Sequence, residues 1–200
     1  GAARYLAETR DFDGTAIFIF QPAEEGLGGA RAMLADGLFE RFPCDEIYGM
    51  HNSPYHPHGV VGVKPGTAMA GADFFDFTIR GRGSHGAMPE VSRDPIVAGS
   101  ALVQALQSIV ARNVGARDSA VLSVTMFNAG SAYNVVPSEV RLGGTVRFLD
   151  EGVGKLVRER MERVAAGVAS AFEVEIEVDI RPTFSTLQND DALSREMVAA

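Results

Sequence analysis

The chain has 200 residues, of which 46% are hydrophobic and 22% charged, and its formal net charge is −8. This composition is enough for one sizeable core or two smaller ones, and the negative charge without a Lys/Arg cluster argues against a nucleic-acid partner. No apolar run approaches the roughly 20 residues of a membrane-spanning helix, and the first residues do not resemble a signal peptide. The charge therefore favours a small-molecule partner. The single cysteine, Cys44, excludes an internal disulfide, so we expect a cytoplasmic protein.

The first third of the chain has the pattern of an α/β unit. The apolar run "GTAIFIF" (14–20) predicts a strand buried on both faces, and "EIYGMH" (46–51) predicts a second strand. Between them, "GGARAMLADGLFERF" (28–42) has helical spacing. Prolines and glycines then interrupt the pattern over residues 52–71, which permits only short strands and turns.

From residue 72 onward the periodicity predicts a second, different module. Alternation in "ADFFDFTIRG" predicts a strand with one buried face, and Ser92 or Asp94 can cap the helix that follows, with Pro95 in its first turn. Two strands, a second helix and an acidic alternating strand come next, in "AVLSVTMF", "EVRLGGTVRFL", the segment from Val153 to Phe172, and "EVEIEVDI". After Pro182 we predict a loop and the start of a helix.

The order β-α-β-β-α-β is that of a split βαβ, ferredoxin-like sandwich with two helices on one face of the sheet. We therefore predict an α/β domain over residues 1–71, a ferredoxin-like (βαββαβ) module over 72–182 inserted in it, and a return to the first domain over 183–200. The fold class is thus α/β combined with α+β.

Two adjacent glutamates, Glu24 and Glu25, follow the first predicted strand. Three interpretations are open: an acidic pair stabilised by a helix dipole, a glycosidase pair, or a division of labour at a metal ion. Neighbouring residues cannot easily flank a glycosidic bond at the required separation of roughly 5–9.5 Å. At a metal, one carboxylate can bind the ion while the other takes a proton from the metal-bound water.

The position of the pair favours the metal interpretation. In open α/β sheets sites form at the carboxyl ends of strands, where both the glutamates and His51 are predicted to lie. Neutral imidazole is a common zinc ligand, whereas His56 and His58 are interpreted as loop residues. A catalytic zinc needs about three protein ligands, so the two candidates, Glu25 and His51, do not complete a site.

Four segments in order resemble one known family. "FQPAEEGLGGARAMLADG", "GMHNSPYHPHG", "FTIRGRGSHGAMPE" and "NVVPSEVRLGGTVR" resemble the amidohydrolase branch of the aminoacylase and carboxypeptidase G-type metallopeptidases, which includes hippurate hydrolases and indole-acetyl-amino-acid hydrolases. The resemblance covers nearly all of the chain. It implies a catalytic domain with two divalent metals, zinc or manganese, and an inserted ferredoxin-like lid that also mediates dimerisation.

The resemblance also implies roles for particular residues. Glu24 corresponds to the family's general base and acid, and Glu25 and His51 correspond to metal ligands. His85 of "GRGSHG" corresponds to a lid residue that stabilises the oxyanion, in some members from the neighbouring subunit. Asn134 and Arg147 correspond to lid residues that hold the substrate carboxylate.

The residues themselves leave simpler interpretations open for these three lid positions. Glycines around His85 equally permit a flexible turn, Asn134 can serve a turn, and Arg147 can be a solvated strand residue. Because the lid and the other domain divide the proposed roles, we expect domain closure before chemistry, with hinges at residues 70–72 and 181–185.

Three parts of the family pattern are not found in this sequence. The "GHDGH"-like motif and the C-terminal histidine are missing, the bridging aspartate is not visible, and Cys44 does not lie in the metal-binding motif. We interpret the chain as an internal segment of the enzyme. We therefore expect it to bind metal weakly or not at all and to be inactive by itself.

The predicted function of the intact enzyme is metal-dependent hydrolysis of the amide bond of N-acyl amino acids, with the chain dimerising through the lid. The alternative is a non-catalytic ferredoxin-like module that binds a small ligand or dimerises. That alternative accounts for the lid but not for Glu24, Glu25 and His51.

Overall fold

The computed structural model of the chain describes residues 1–25 and 28–199. By their internal contacts the residues divide into two compact units, Gly1–Val61 and Gly62–Ala200. Within the described ranges, none of the helices has the length and apolar character needed to cross a membrane.

The first unit contains three short helices in its described part. Helix α1 spans Ala2–Thr9, α2 spans Gly29–Ala35 and α3 spans Leu38–Arg41. The predicted helix over residues 28–42 is thus confirmed in position but divided in two by Gly37, whose φ of 80° is a left-handed conformation that ends a helix. Helix α1 was not anticipated from the sequence pattern.

The two strands predicted in this unit are wrong for this structure. Residues 14–20 and 46–51 contain no strand, and their apolar side chains include Phe20 at 84% exposure and Met50 at 89%. A strand requires a hydrogen-bonding partner, and no ladder forms among the described residues of this unit. Apolar, β-branched sequence therefore did not suffice to form a strand here.

The second unit is built on a four-stranded antiparallel sheet. Its strands are β2 (Gly71–Arg80), β4 (Ala120–Ala129), β6 (Glu139–Phe148) and β7 (Glu175–Phe184), in the order β4-β6-β2-β7. Strand β2 pairs with β6 without a break, from Gly71 opposite Phe148 to Arg80 opposite Glu139. The strands predicted in these segments are confirmed.

Two long helices pack on one face of this sheet. Helix α4 (Pro95–Asn113) begins as predicted, because the Asp94 carboxylate accepts hydrogen bonds from the N–H groups of Ile96 and Val97. Helix α5 (Glu151–Phe172) is capped in the same way by Asp150. Side chains that alternate along β2 meet both helices in one core, which includes Phe75, Phe77, Ile79, Leu102, Leu106, Val157 and Met161.

Four shorter elements complete the second unit. Strand β3 (Ser84–His85) pairs with β5 (Val135–Val136), and β1 (Gly66–Met69) pairs with β8 (Leu187–Asn189). The β1–β8 ladder joins the segment that precedes the large sheet to the segment that follows it. A 3-10 turn at Pro89–Val91 and helix α6 (Asp191–Ala199) are the remaining elements.

One ion pair of the sheet is withdrawn from solvent. Arg158 of α5 donates from Nη1 to Asp73 Oδ2 at 2.7 Å, and the Asp73 side chain is fully buried. Its Oδ1 has no hydrogen-bond partner among the described residues. The Arg158 guanidinium also lies 5.6 Å from the centre of the Phe148 ring. Arg158 is therefore the main group that compensates the buried charge of Asp73.

Replacing Arg158 with methionine is expected to lower the free energy of unfolding by about 3 kcal/mol, because a buried carboxylate then loses its counter-charge. Urea denaturation followed by circular dichroism measures this. Arg163→Met on the exposed side of the same helix is the matched control and should have little effect. An unchanged urea midpoint in Arg158→Met would contradict the expectation, and adding Asp73→Asn to it should restore much of the lost stability.

Candidate functional site

Backbone contacts fix the segment just before Glu24 and Glu25 against the start of helix α2. Ala23, just before the pair, has a φ of 50°, a left-handed conformation that side-chain-bearing residues seldom adopt. The N–H of Gly29 donates to the Ala23 carbonyl at 3.3 Å, and a Cβ at Gly29 would lie 1.8 Å from the Pro22 carbonyl oxygen. Only glycine fits at position 29, so α2 begins in close contact with the residues before the pair. Gly26 and Leu27 lie outside the described residues.

Both glutamate side chains are exposed, and neither has an ion pair or hydrogen bond among the described residues. Their oxygens are therefore available as ligands or as a base. His51 is also exposed, and its Nδ1 lies 2.6 Å from the Asn52 carbonyl oxygen. Since a carbonyl only accepts, Nδ1 is the donor, and a neutral His51 keeps its lone pair on Nε2. That tautomer is the one that binds a metal through Nε2.

The first unit contains two side chains of the chemical type that binds divalent metals. A carboxylate oxygen of Glu25 and the Nε2 lone pair of His51 are ligands that a borderline ion such as zinc accepts. In the described part of the chain, however, no three His, Cys, Asp or Glu side chains lie together as a metal-binding group. Cys44 is exposed and free.

The second unit brings His85 and Asn134 together. His85 lies on β3 opposite Val135 of β5, and the N–H of Gly86 donates to the Asn134 carbonyl at 2.7 Å. A Cβ at Gly86 would lie 3.2 Å from the Asn134 carbonyl carbon, so glycine permits this close approach. The β3–β5 ladder thus holds the backbones of the two residues close together, and both side chains are exposed.

The tautomer of His85 is the opposite of that of His51. The N–H of Ala87 donates to His85 Nδ1 at 3.1 Å, so Nδ1 is the acceptor and a neutral His85 carries its proton on Nε2. The exposed edge of the ring is then an N–H donor. A donor of this kind can stabilise negative charge that develops on an oxygen.

An open groove of about 680 Å³ lies beside the β3–β5 ladder. Its lining includes Ser84, His85, Ser131 and Glu139. The Arg141 guanidinium, which donates to Glu139 at 2.8 Å, lowers the pKa of that carboxyl below its ordinary value, and Arg80 acts in the same direction. Glu139 is therefore ionised and paired, which makes it a poor candidate for a base.

Arg147 lies at the other end of the large sheet. It is opposite Ala72 on β2 and Val121 on β4, whereas the β3–β5 ladder extends the end at which Arg80 faces Glu139. Arg147 lies eight steps along β6 from Glu139, or roughly 27 Å at a rise of about 3.4 Å per residue. One copy of the sheet thus keeps Arg147 far from His85 and Asn134.

Arg147 points away from the helices, since it alternates with the buried Val146 and Phe148. Among the described residues it has no ion pair or side-chain hydrogen bond. The other arginines on this face are engaged: Arg80 with Glu177 and Glu139, Arg141 with Glu139, and Arg181 with Asp76 and Asp179. Arg147 is therefore an available cation on a face whose other charges are largely paired.

Two features of the site were not found from the sequence pattern. Glu139 in the groove was not singled out, although it is the single carboxylate of β6. The sequence pattern also does not mark Phe74 and Val121, the exposed apolar side chains next to Arg147. Their position beside the arginine depends on strand register, and strand register depends on residues far away in the chain.

Comparison with known proteins gives one consistent result. Residues 1–200 match peptidase family M20/M25/M40. The chain is 44% identical over 195 residues to the hippurate hydrolase of Campylobacter jejuni and 40% identical over 191 residues to an N-acetylcysteine deacetylase of Bacillus subtilis. These alignments cover 96% and 95% of this chain and 50% of each relative. The chain thus spans about half the length of the curated relatives it matches.

The fold is also similar to solved structures. A crystal structure from Bacillus subtilis, named as a dinuclear metal binding peptidase from the M20 family, superposes with a TM-score of 0.72 at 35% identity. The match covers 96% of this chain and 48% of that one. The mixed α/β architecture is therefore one that crystal structures of such peptidases share.

Proposed function

The chain belongs to peptidase family M20/M25/M40, and from this membership and its site residues we propose that it is part of a metal-dependent amidohydrolase that cleaves N-acyl amino acids. The pairing of tautomers carries the proposal: His51 offers a lone pair, while His85 offers an N–H. The first suits a metal ligand and the second an oxyanion donor. Amide hydrolysis by a metalloenzyme can use both.

In the first unit we assign Glu24 as the general base and acid, and Glu25 and His51 as ligands. Glu24 takes a proton from the attacking water and later gives it to the leaving amine, a role typically worth 10²–10⁴-fold in rate. When bound, two divalent ions, zinc or manganese, would supply the Lewis acidity that polarises the scissile carbonyl. The exposed, unpaired carboxylates of Glu24 and Glu25 support this assignment.

In the second unit His85 donates from Nε2 to the oxyanion, and Asn134 and Arg147 bind the substrate carboxylate. Arg147 suits this task because its guanidinium can form two parallel hydrogen bonds with a carboxylate and no side chain of the described chain occupies it. His85 and Asn134 are supported by their shared ladder.

The substrate class is tested with the metal-loaded enzyme that contains this chain. Hippurate and N-acetylglycine are incubated with it, and the released glycine is measured. We expect metal-dependent release from at least one of them. Absence of hydrolysis with fully loaded metal would contradict the proposed function and favour a non-catalytic ligand-binding or dimerisation module.

The second unit's sheet and two helices are proposed to be a ferredoxin-like lid over residues 72–182, with residues 1–71 and 183–200 as parts of the catalytic domain. The succession β2-α4-β4-β6-α5-β7 supports this. So does the β1–β8 ladder, because an inserted module leaves its host through two neighbouring segments.

We further propose that the lid forms a homodimer along strand β4. Both β4 and β7 are edge strands, but β7 carries alternating acidic residues, whereas β4 carries no charged residue over Ala120–Ala129. Charged edges resist pairing, and a long uncharged edge favours it. Its exposed side chains include Val121 and Met126.

Antiparallel pairing of two β4 strands would also bring Arg147 of one copy close to His85 and Asn134 of the other, although these residues lie far apart within one copy. Val121 marks the Arg147 end of β4, and Ala129 marks the end next to the β3–β5 ladder. A two-fold axis between the strands brings the first end of one copy beside the second end of the other. Arg147 of one copy would then share a substrate with the partner's His85 and Asn134.

A lysine at Thr125, in the middle of β4, is expected to convert the dimer to a monomer, because an edge lysine disfavours strand pairing. Sedimentation velocity measures the change. Glu175→Lys on the opposite edge strand β7 is the matched control and should remain dimeric. A wild-type monomer, or an unaffected dimer in Thr125→Lys, would contradict the proposed interface.

A further inference from the structure

The surroundings of Arg147 on the sheet are apolar. Val121 faces Arg147 directly across the β4–β6 ladder, and Phe74 is its diagonal neighbour on β2. Direct cross-strand neighbours lie roughly 4.5–5.5 Å apart at Cβ and diagonal ones roughly 7–8 Å apart, within reach of an aromatic ring. Val121 is 52% exposed and Phe74 is 39% exposed. Both therefore flank the arginine on the solvent side.

We refer to Phe74 and Val121 beside Arg147 as the apolar patch. The polar groups near this patch already have hydrogen-bond or ion-pair partners. The Thr145 hydroxyl, between Arg147 and Phe74, donates to the Asp73 carbonyl at 3.0 Å. Arg181, opposite Phe74, is paired with Asp76 and Asp179. Within the described residues of this face, no unpaired carboxylate lies next to Arg147, so a substrate side chain with an ammonium group would find no counter-charge there. No second free arginine lies next to it either, so a second substrate carboxylate would also find none.

We infer that this patch binds an apolar side chain of the amino acid whose carboxylate Arg147 holds, so that the substrates are N-acyl derivatives of apolar amino acids rather than of lysine-like or dicarboxylic ones. The inference rests on the proposed function. In an α-amino acid the carboxylate and the side chain are bonded to the same carbon. A carboxylate on Arg147 therefore places the side chain within reach of Phe74 and Val121, the residues that set specificity.

The size of the effect follows from burial. Each methylene that a pocket buries or excludes typically changes discrimination by 10- to 200-fold, and an exposed patch belongs at the lower end of that range. We expect kcat/KM to be about tenfold higher for N-acetyl-L-leucine than for N-acetyl-L-lysine or N-acetyl-L-glutamate.

The experiment measures kcat/KM of the metal-loaded enzyme containing this chain for these three compounds and for N-acetylglycine. In Phe74→Ala, the ratio of kcat/KM for N-acetyl-L-leucine to kcat/KM for N-acetylglycine is expected to fall about tenfold. Val121→Ala should lower the same ratio, whereas Val97→Ala, a valine of equal exposure on α4, should leave it unchanged.

The outcomes separate the inference from the function it rests on. Hydrolysis with the ratio unchanged in both Phe74→Ala and Val121→Ala would overturn the inference alone. A wild-type preference for the lysine or glutamate derivative would do the same. If the wild type hydrolyses hippurate but none of the four compounds, the inference fails and the proposed function stands. If it hydrolyses neither hippurate nor any of the four compounds, both fail.

Discussion

Replacing Glu24 with glutamine in the metal-loaded enzyme that contains this chain is expected to lower kcat by roughly 10²–10⁴-fold while the metal content stays the same. Glutamine keeps the shape of the side chain but cannot take a proton. Turnover of hippurate or N-acetylglycine and metal analysis after dialysis give the two readouts.

Glu25→Ala is the matched comparison at the neighbouring position. Because Glu25 is proposed to bind metal, this variant should lose both activity and metal content. The two variants thus separate the base from the ligand. Full activity in Glu24→Gln would remove Glu24 from its assigned role, and unchanged metal content in Glu25→Ala would do the same for Glu25.

His85→Ala is expected to lower kcat by about 10²–10³-fold, the usual loss for one oxyanion donor. Arg147→Met should mainly raise KM, because it removes a charged contact to the substrate carboxylate. The two effects are distinguished by steady-state kinetics. Equal kcat in His85→Ala and the wild type would contradict the role of His85.

Mixing these two variants tests whether one site draws on two copies. If Arg147 of one copy works with the partner's His85, half of the randomly mixed dimers contain one complete site out of two. The mixture then regains about a quarter of wild-type activity. If a single copy supplied both residues, mixing would restore none, and the arrangement along β4 would be wrong.

The second unit was predicted well because its signals are local. Asp94 before Pro95 marks the start of α4, and the alternation of Phe75, Phe77 and Ile79 marks a strand with one buried face. The structure confirms these elements. Each signal depends only on residues that are close in sequence, so it can be recognised without knowledge of the rest of the fold.

The first unit was predicted less well for the opposite reason. The runs at 14–20 and 46–51 have strand composition, yet a strand exists only where a second strand accepts its hydrogen bonds, and none does so within the described part of this unit. Gly37 divides the predicted helix because its left-handed backbone ends α2. Composition indicated a preference for strand conformation in these two runs, but it did not indicate which strand would pair with them.

By itself, the sequence determined the order of helices and strands in the second unit and the residue types available for chemistry, because periodicity and capping are local. Only the tertiary structure decided which of those residues meet. It placed His85 beside Asn134, put Arg147 at the far end of the sheet, and assigned opposite tautomers to His51 and His85. Strand register depends on segments that are distant along the chain, so no local pattern contains it. The hydrogen bonds of His51 with Asn52 and of His85 with Ala87 are local, but they depend on loop backbone conformation, which residue spacing does not specify.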